Sequence, residues 1–381
     1  MRYDFLVVGA GFTGATLAER LASQLGLRVL VIDRRSHIAG NAYDGVDTSG
    51  LRLHRYGAHI FHTSSDTVWD YLSGFTGWRA YEHRVLGVID DKLVPIPFNL
   101  TSLHALFPSR EAARLEERLV ELVGMETKVP VLRLLEHPDP ELAELGDYVY
   151  RNVFMNYTAK QWGMLPEQLD RTVTGRVPIH VSYDDRYFQD RHQAMPSAGY
   201  LALFERMLDH PNIDVELGVD LETVSGSVDA RQTIFTGPID DLFGACYGHL
   251  PYRSLRFEHE ICDVERALPA AVVNHPNAEG FTRVLEHKWL TGETGPNTVL
   301  TTEWPQEHVP GRTEPFYPVP NEANRALHER YKTLAAEEQP DVVFAGRLAD
   351  YRYYDMDQAV LRALLLFREL AGQLTGVAVG A

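Results

Sequence analysis

Hydrophobic and polar positions follow three different rhythms along this chain, and the changes of rhythm divide it. Tyr3-Asp4-Phe5-Leu6-Val7-Val8 is a nearly continuous apolar run that ends in Gly9-Ala10-Gly11-Phe12-Thr13-Gly14. Leu17, Ala18, Leu21 and Leu25 then recur at helical spacing, Gly26 stops the pattern, and Arg28-Val29-Leu30-Val31-Ile32 closes on Asp33. The order strand, glycine turn, helix, strand, carboxylate is that of a dinucleotide-binding unit. Gly9 permits the tight turn, Gly11 lets main-chain N–H groups approach a pyrophosphate, and Gly14 lets helix and strand pack closely. The pyrophosphate sits at the positive end of the helix dipole, and Asp33 can accept hydrogen bonds from ribose hydroxyls. Gly40-Asn41, in the polar loop that follows, can fold over the nucleotide.

From about Pro97 to Gln168 the rhythm is helical. Thr63 or Ser64 is expected to cap a short helix through Val68-Trp69. Ser109 is expected to cap a helix whose inner face carries Leu115, Leu119 and Leu122, and another helix begins near Pro140. Thr172 to Phe188 has no clear period and is broken by proline, as a mobile loop would be. Gly199–Leu208 reads as a helix, and Ile213–Leu217 and Thr233–Thr236 read as strands returning to the nucleotide domain. Four apolar runs then follow without helices between them: Leu255–Val264, Ala271–His275, Phe281–His287 and Thr298–Trp304. Consecutive strands predict an antiparallel sheet. Asn321 opens a helix to about Ala336, Val342–Phe344 is a last parallel strand, and a helix runs from about Asp357 to Leu374.

The fold class predicted is an α/β flavoprotein: a Rossmann-like FAD-binding domain with an inserted helical domain and an antiparallel β-sheet domain. The FAD-binding domain is discontinuous, over residues 1–80, 196–245 and 335–381. Residues 81–195 form the helical domain, with a mobile substrate loop at about 163–188, and residues 246–334 form the sheet domain. An NAD enzyme usually follows one mononucleotide half with a second. That half is missing, and the late turn at Gly346-Arg347 can reach the flavin end instead, so FAD is favoured over NAD.

Composition changes this picture little. With 381 residues the chain is too long for a single core. Its net charge of −17 argues against nucleic acid as a partner and makes any anion-binding arginine worth following. No apolar run approaches a membrane span. Two isolated cysteines, Cys246 and Cys262, supply neither a disulfide framework nor a metal pair, so no metal is expected. With a strand starting at once, leaving no room for a signal peptide, they point to the cytoplasm.

Several residues stand out chemically. Phe154 and Tyr157, three apart on a helix, either hold a planar base or belong to the core of the helical domain. Arg176 lies in the aperiodic loop. Arg283 falls on the same strand face as Phe281 and Leu285, where a charge is costly unless it meets an anion. Arg347 follows Gly346 at a strand end, among Tyr317, Tyr351, Tyr353 and Tyr354.

Six motifs in order decide among the possibilities: Gly57-Ala58-His59-Ile60-Phe61-His62, Asn156-Tyr157-Thr158-Ala159-Lys160-Gln161-Trp162, Tyr183-Asp184-Asp185-Arg186-Tyr187-Phe188, Thr236-Gly237-Pro238, Pro315-Phe316-Tyr317-Pro318 and Gly346-Arg347-Leu348. Together they resemble the prokaryotic UDP-galactopyranose mutases. The resemblance implies an FAD-dependent isomerase, active with reduced flavin, that interconverts UDP-galactopyranose and UDP-galactofuranose for surface glycans. Flavin N5 attacks the anomeric carbon and expels UDP, the sugar ring opens and recloses, and UDP returns. It also implies a homodimer. By this resemblance Arg176 and Arg283 hold the diphosphate, Phe154 and Tyr157 stack on uracil, and Asn274 is a polar contact. Trp162 sits on a closing loop, Tyr317 and Tyr353 reach phosphate or sugar, and His59 and Arg347 adjoin the isoalloxazine. The cofactor contacts expected are Gly9, Gly11, Phe12, Thr13, Gly14, Asp33, Arg34, Gly40, Asn41, His59, Ile60, Gly346, Arg347, Asp355 and Met356. The competing readings are an amine-oxidase-like flavin oxidoreductase and a flavoprotein that only binds or senses.

Overall fold

A computed structural model describes residues 2–169, 178–224 and 226–376. Its first layer is a five-stranded parallel sheet in the order Ile213–Leu217, Val29–Asp33, Arg2–Val8, Asp229–Phe235, Val342–Phe344. The central strands bury both faces: Phe5, Leu6 and Val7, and Leu30, Val31 and Ile32, are all nearly inaccessible. This explains why they read as continuous apolar runs rather than alternating ones. The helix Phe12–Leu25 buries Leu17, Ala18 and Leu21 and ends at Gly26 in the left-handed conformation, as the sequence indicates. The C-terminal helix Met356–Thr375 packs beside it.

The second layer is a seven-stranded sheet in the order Tyr317–Pro318, Tyr252–Cys262, Thr298–Glu307, Arg283–Glu286, Val272–Asn274, Val85–Ile89, Lys92–Ile96. The four runs read as consecutive strands are adjacent and antiparallel. The last two strands come from the stretch beginning at residue 81 that the sequence assigns to the helical domain. They form a hairpin whose turn residues Asp90 and Asp91 both have positive φ, 48° and 58°. Asp-Asp is a weaker turn signal than Asn-Gly, and Pro95 reads against a strand. Lys92–Ile96 lies at the sheet edge, where a proline is tolerated.

The helical part comprises Leu100–Leu106, Ser109–Val123, Val131–Leu135, Pro140–Val149 and Asn156–Trp162, with a π-helical turn at Tyr150–Met155. Two expected caps shift. Ser65, not Thr63 or Ser64, accepts the Val68 N–H; the Thr63 hydroxyl accepts the Ser65 N–H and donates to Asp357, and the Ser64 hydroxyl donates to Asp190. Ser109 is the first helical residue after Pro108 rather than a capping side chain. In the aperiodic stretch, Pro178–Val181 is a strand paired antiparallel with Thr127–Pro130, while the part of the expected mobile loop at residues 170–177 lies outside the described residues.

Candidate active site

The glycine turn opens into a cleft of about 510 Å³ lined by Gly9, Gly11, Phe12, Thr13, Gly14, Asp33, Arg34, Gly40, Asn41, His59, Gly346, Arg347, Asp355 and Met356. Ile60 does not line it and packs against the apolar core. Two glycines are sterically required. Gly9 has φ of 109° and a Cβ there would lie 2.0 Å from the Thr236 hydroxyl, while a Cβ on Gly14 would lie 1.9 Å from the Gly9 carbonyl oxygen. Gly11, Phe12, Thr13 and Gly14 line the cleft and no side chain caps the helix that starts at Phe12, so its main-chain N–H end is open to the cleft. This cradle fits the pyrophosphate of a dinucleotide. Gly14→Ala is therefore expected to yield protein that retains little or no flavin, seen as loss of visible absorbance in the purified protein; normal flavin content would contradict the cradle.

Asp33 lines the cleft and also braces the turn: its carboxylate accepts the Ala10 N–H at 2.8 Å and the Arg35 N–H at 2.9 Å, one on each oxygen, which leaves each oxygen a further lone pair. Glu314, which the sequence does not single out, also lines the cleft and accepts from Arg34 at 2.6 Å and Arg35 at 2.7 Å. It joins the nucleotide domain to the segment that continues into Tyr317. Long-range ion pairs of this kind leave no local pattern.

At the other end, His59 turns Nδ1 to the Gly57 carbonyl at 2.9 Å. A carbonyl can only accept, so Nδ1 carries the proton. Burial, together with the Arg347 and Arg283 charges, pushes His59 down to about 4, and the ring is neutral at pH 7. Arg347 stands 5.3 Å from the Tyr353 ring centroid and 5.8 Å from that of Tyr317, and donates to the Tyr354 carbonyl. Tyr317 and Tyr353 stack at 5.4 Å, and Trp162 lies 6.2 Å from Tyr317. Tyr351 leaves this cluster: its hydroxyl donates to the Pro251 carbonyl at 2.6 Å.

Arg283 sits in a cross-strand row. Asn274 pairs with Arg283, and Arg283 with Glu303, so the three side chains share one face of the sheet. Arg283 Nε donates to Glu303 Oε2 at 2.6 Å, and Glu303 is fully buried. Burial works against the guanidinium charge, but the Glu303 carboxylate outweighs it and holds Arg283 firmly protonated. Among the described residues, Glu303 Oε1 and Asn274 Oδ1 are buried without a hydrogen-bond partner. Burial raises the Tyr157 and Tyr317 phenols, which stay neutral hydrogen-bond donors at pH 7.

The structure thus brings Tyr157, Trp162, Asn274, Arg283, Tyr317, Tyr353, Arg347 and His59 to one end of the cleft. Phe154 is buried, 2 % exposed and packed near Tyr150, which leaves Tyr157 as the more accessible ring of the pair. Arg176 lies outside the described residues. Two residues without a sequence-derived role join the site. Tyr187, within a motif already noted, has its phenol pushed up to about 12 by burial beside Tyr157 and Arg283. Glu303 could be placed only by knowing the strand register.

A family model described as UDP-galactopyranose mutase matches residues 152–353, more than half of the chain. The UDP-galactopyranose mutase of Mycoplasma pneumoniae is 34% identical over 97% of this chain and 96% of its own. The chain belongs to the UDP-galactopyranose mutase family. Membership explains why a nucleotide cleft ends in an arginine-tyrosine cluster, for which the oxidoreductase reading has no reason. A second family model, an NAD(P)-binding Rossmann-like domain, matches residues 7–75. A crystal structure of reduced UDP-galactopyranose mutase shares the fold, with TM-score 0.71, 17% identity and coverage of 97% of this chain and 96% of that one. Family members differ in the sugar nucleotide named: dTDP-fucopyranose mutase of Escherichia coli is 33% identical over 94% of this chain and 96% of its own. Among the described residues no helix is long and apolar enough to cross a membrane.

Proposed function

We propose that this protein interconverts UDP-galactopyranose and UDP-galactofuranose with bound, reduced FAD, as a cytoplasmic homodimer that supplies galactofuranose for surface glycans. The observation that carries the reading is the Arg283 row beside Tyr157, Tyr317 and Tyr353 at the end of the dinucleotide cleft. When bound, reduced FAD supplies an electron-rich N5 nucleophile. The cradle of Gly9, Gly11 and Gly14 and the cleft residues Arg34, Asn41, Asp355 and Met356 would hold it. Arg283, together with Arg176, carries the diphosphate, and its fixed charge stabilises the negative charge that develops as UDP departs. The hydroxyls of Tyr317 and Tyr353 add donors to the same oxygens. Tyr157 offers its ring to the uracil. Neutral His59 presents Nε2 as an acceptor beside the flavin and brings no second cation to compete for the leaving group. Sugar hydroxyls are donors of the kind that Asn274 Oδ1 and Glu303 Oε1 can accept.

The test is turnover of UDP-galactofuranose by purified protein under strict anaerobiosis with dithionite, followed by chromatography, with dTDP-fucopyranose run in parallel. Ring interconversion of the UDP sugar by reduced enzyme only is the expected result. Equal turnover by oxidised enzyme sinks the nucleophilic role of the flavin, and turnover confined to the dTDP sugar sinks the substrate assignment. Sedimentation of the holoenzyme reports the dimer.

A further inference from the structure

Three main-chain carbonyls converge on one ammonium beside the site. Lys160 Nζ donates to His275 O at 2.7 Å, Ala278 O at 2.8 Å and Phe281 O at 2.7 Å. These carbonyls belong to the turn that joins the strands Val272–Asn274 and Arg283–Glu286. All three ammonium protons are used, and the turn is closed around a side chain from another domain. Two further links tie the same partners together. Asn156 Nδ2 donates to Asn277 Oδ1 at 3.0 Å, and Asn277 Nδ2 donates to Asn152 O at 3.1 Å. On the other side, Arg253 takes the Gln161 carbonyl at 2.9 Å and the Lys160 carbonyl at 3.2 Å, fixing the C-terminal end of the Asn156–Trp162 helix.

The residues at stake lie immediately beside this junction. Tyr157 is one helical turn before Lys160. Asn274 and Arg283 are the register pair at the mouth of the closed turn. We propose that Lys160 is a positioning residue of the mutase site, locking the helix that bears Tyr157 to the strand pair that bears Asn274 and Arg283, so that base and diphosphate are received by one rigid unit. The inference rests on the substrate reading given above. A shift of the turn by about 1 Å would misplace both contacts together, and such displacements cost up to about 100-fold in rate or binding.

Titration offers a handle on the lock. Burial lowers the Lys160 ammonium to about 8. Once neutral, it keeps two N–H donors and turns a lone pair toward the third carbonyl. Of the groups facing it, His275 on the turn is already neutral at pH 7, lowered by burial and by Lys160 itself. Arg253 on the Tyr252–Cys262 strand stays charged, and Tyr157 on the same helix titrates above its ordinary value. Lys160 is therefore the group of this set that changes charge between pH 7 and 9.

The experiment is calorimetric titration of flavin-loaded holoenzyme with UDP. Wild-type affinity is expected to fall by roughly 5-fold or more from pH 7.5 to 9 at constant flavin content. Lys160→Met is expected to bind UDP roughly 10-fold more weakly at pH 7.5 and to lose that pH dependence. Adding Tyr157→Ala to Lys160→Met should cost less than the product of the single effects, since the ring is already misplaced. Strictly multiplicative effects, or a Lys160→Met protein that binds UDP like wild type, would overturn the inference. If the variant does not fold, the wild-type profile decides, and a flat one overturns it. Wild-type protein that binds no UDP at any pH would instead defeat the substrate reading itself.

Discussion

Arg283→Ala should lower turnover at least 100-fold while flavin content stays normal. Two effects combine, and they can be separated. The guanidinium is the fixed cation in the row Asn274–Arg283–Glu303, and losing one charge-assisted contact to a leaving diphosphate removes on the order of 2–5 kcal/mol of transition-state stabilisation. The same change strands the fully buried Glu303 carboxylate, and breaking a buried ion pair from one side costs about 3–5 kcal/mol of stability. Glu303→Gln added to Arg283→Ala removes the stranded charge. The double variant should therefore regain thermal stability but not activity. Arg283→Lys keeps the charge but not the planar fork, and should recover only part of the turnover. The measurements are anaerobic turnover, flavin absorbance and melting temperature for the three variants. Activity that returned with stability in the double variant would reduce Arg283 to a structural ion pair.

Acid should unfold this protein at a pH where an ordinary enzyme of this size is still intact. His54 and His83 are 1 % and 3 % exposed, and burial pushes both down to about 3 from an ordinary 6.5; His287, 1 % exposed, also lies well below its ordinary value. The His287 ring sits in a setting that suits its neutral form: its Nδ1 accepts the main-chain N–H of His54 at 3.1 Å, and its Nε2 meets the Thr301 hydroxyl at 2.7 Å. Below pH 6.5 the unfolded chain takes up protons at these rings and the native state does not. Stability is therefore lost as pH falls from 6.5 toward 3. At pH 5 His54 and His83 each contribute a loss of about 2 kcal/mol, about 4 kcal/mol together, with His287 acting in the same direction, against a typical total of 5–15 kcal/mol. Asp44 works in the opposite sense. Burial raises it to about 6 although it accepts the Tyr200 and Leu201 N–H groups, so its protonation returns about 1 kcal/mol at pH 5. The net expectation is a steep fall in melting temperature between pH 7 and 5. A melting temperature unchanged over that interval would mean that the buried imidazoles find proton acceptors when charged.

Motifs local in sequence were legible to a surprising depth. The strand, glycine turn and helix at Arg2–Leu25 can be read from a few residues because each step is dictated by neighbours: apolar runs buried on both faces, a φ of 109° at Gly9, and a left-handed stop at Gly26. The same holds for the helix Gly199–Leu208 and the strand Val342–Phe344, whose signals are complete within one element. The hairpin of Val85–Ile89 and Lys92–Ile96 was not legible, because an Asp-Asp turn and an edge proline send weak or contrary local signals. Arg283 could be singled out as a charge needing an anion, yet its partner Glu303 lies on a strand whose register no local pattern specifies. Lys160 and Glu314 likewise take their meaning from chain that is remote in sequence. Sequence by itself determined the nucleotide-binding unit, the aromatic-rich helix and the family. Only tertiary structure decided which carboxylate holds Arg283, which of Phe154 and Tyr157 is the more accessible, and which turn Lys160 closes. The reason is physical: hydrogen-bond partners across a sheet and between domains are set by register and packing, which depend on the whole chain at once.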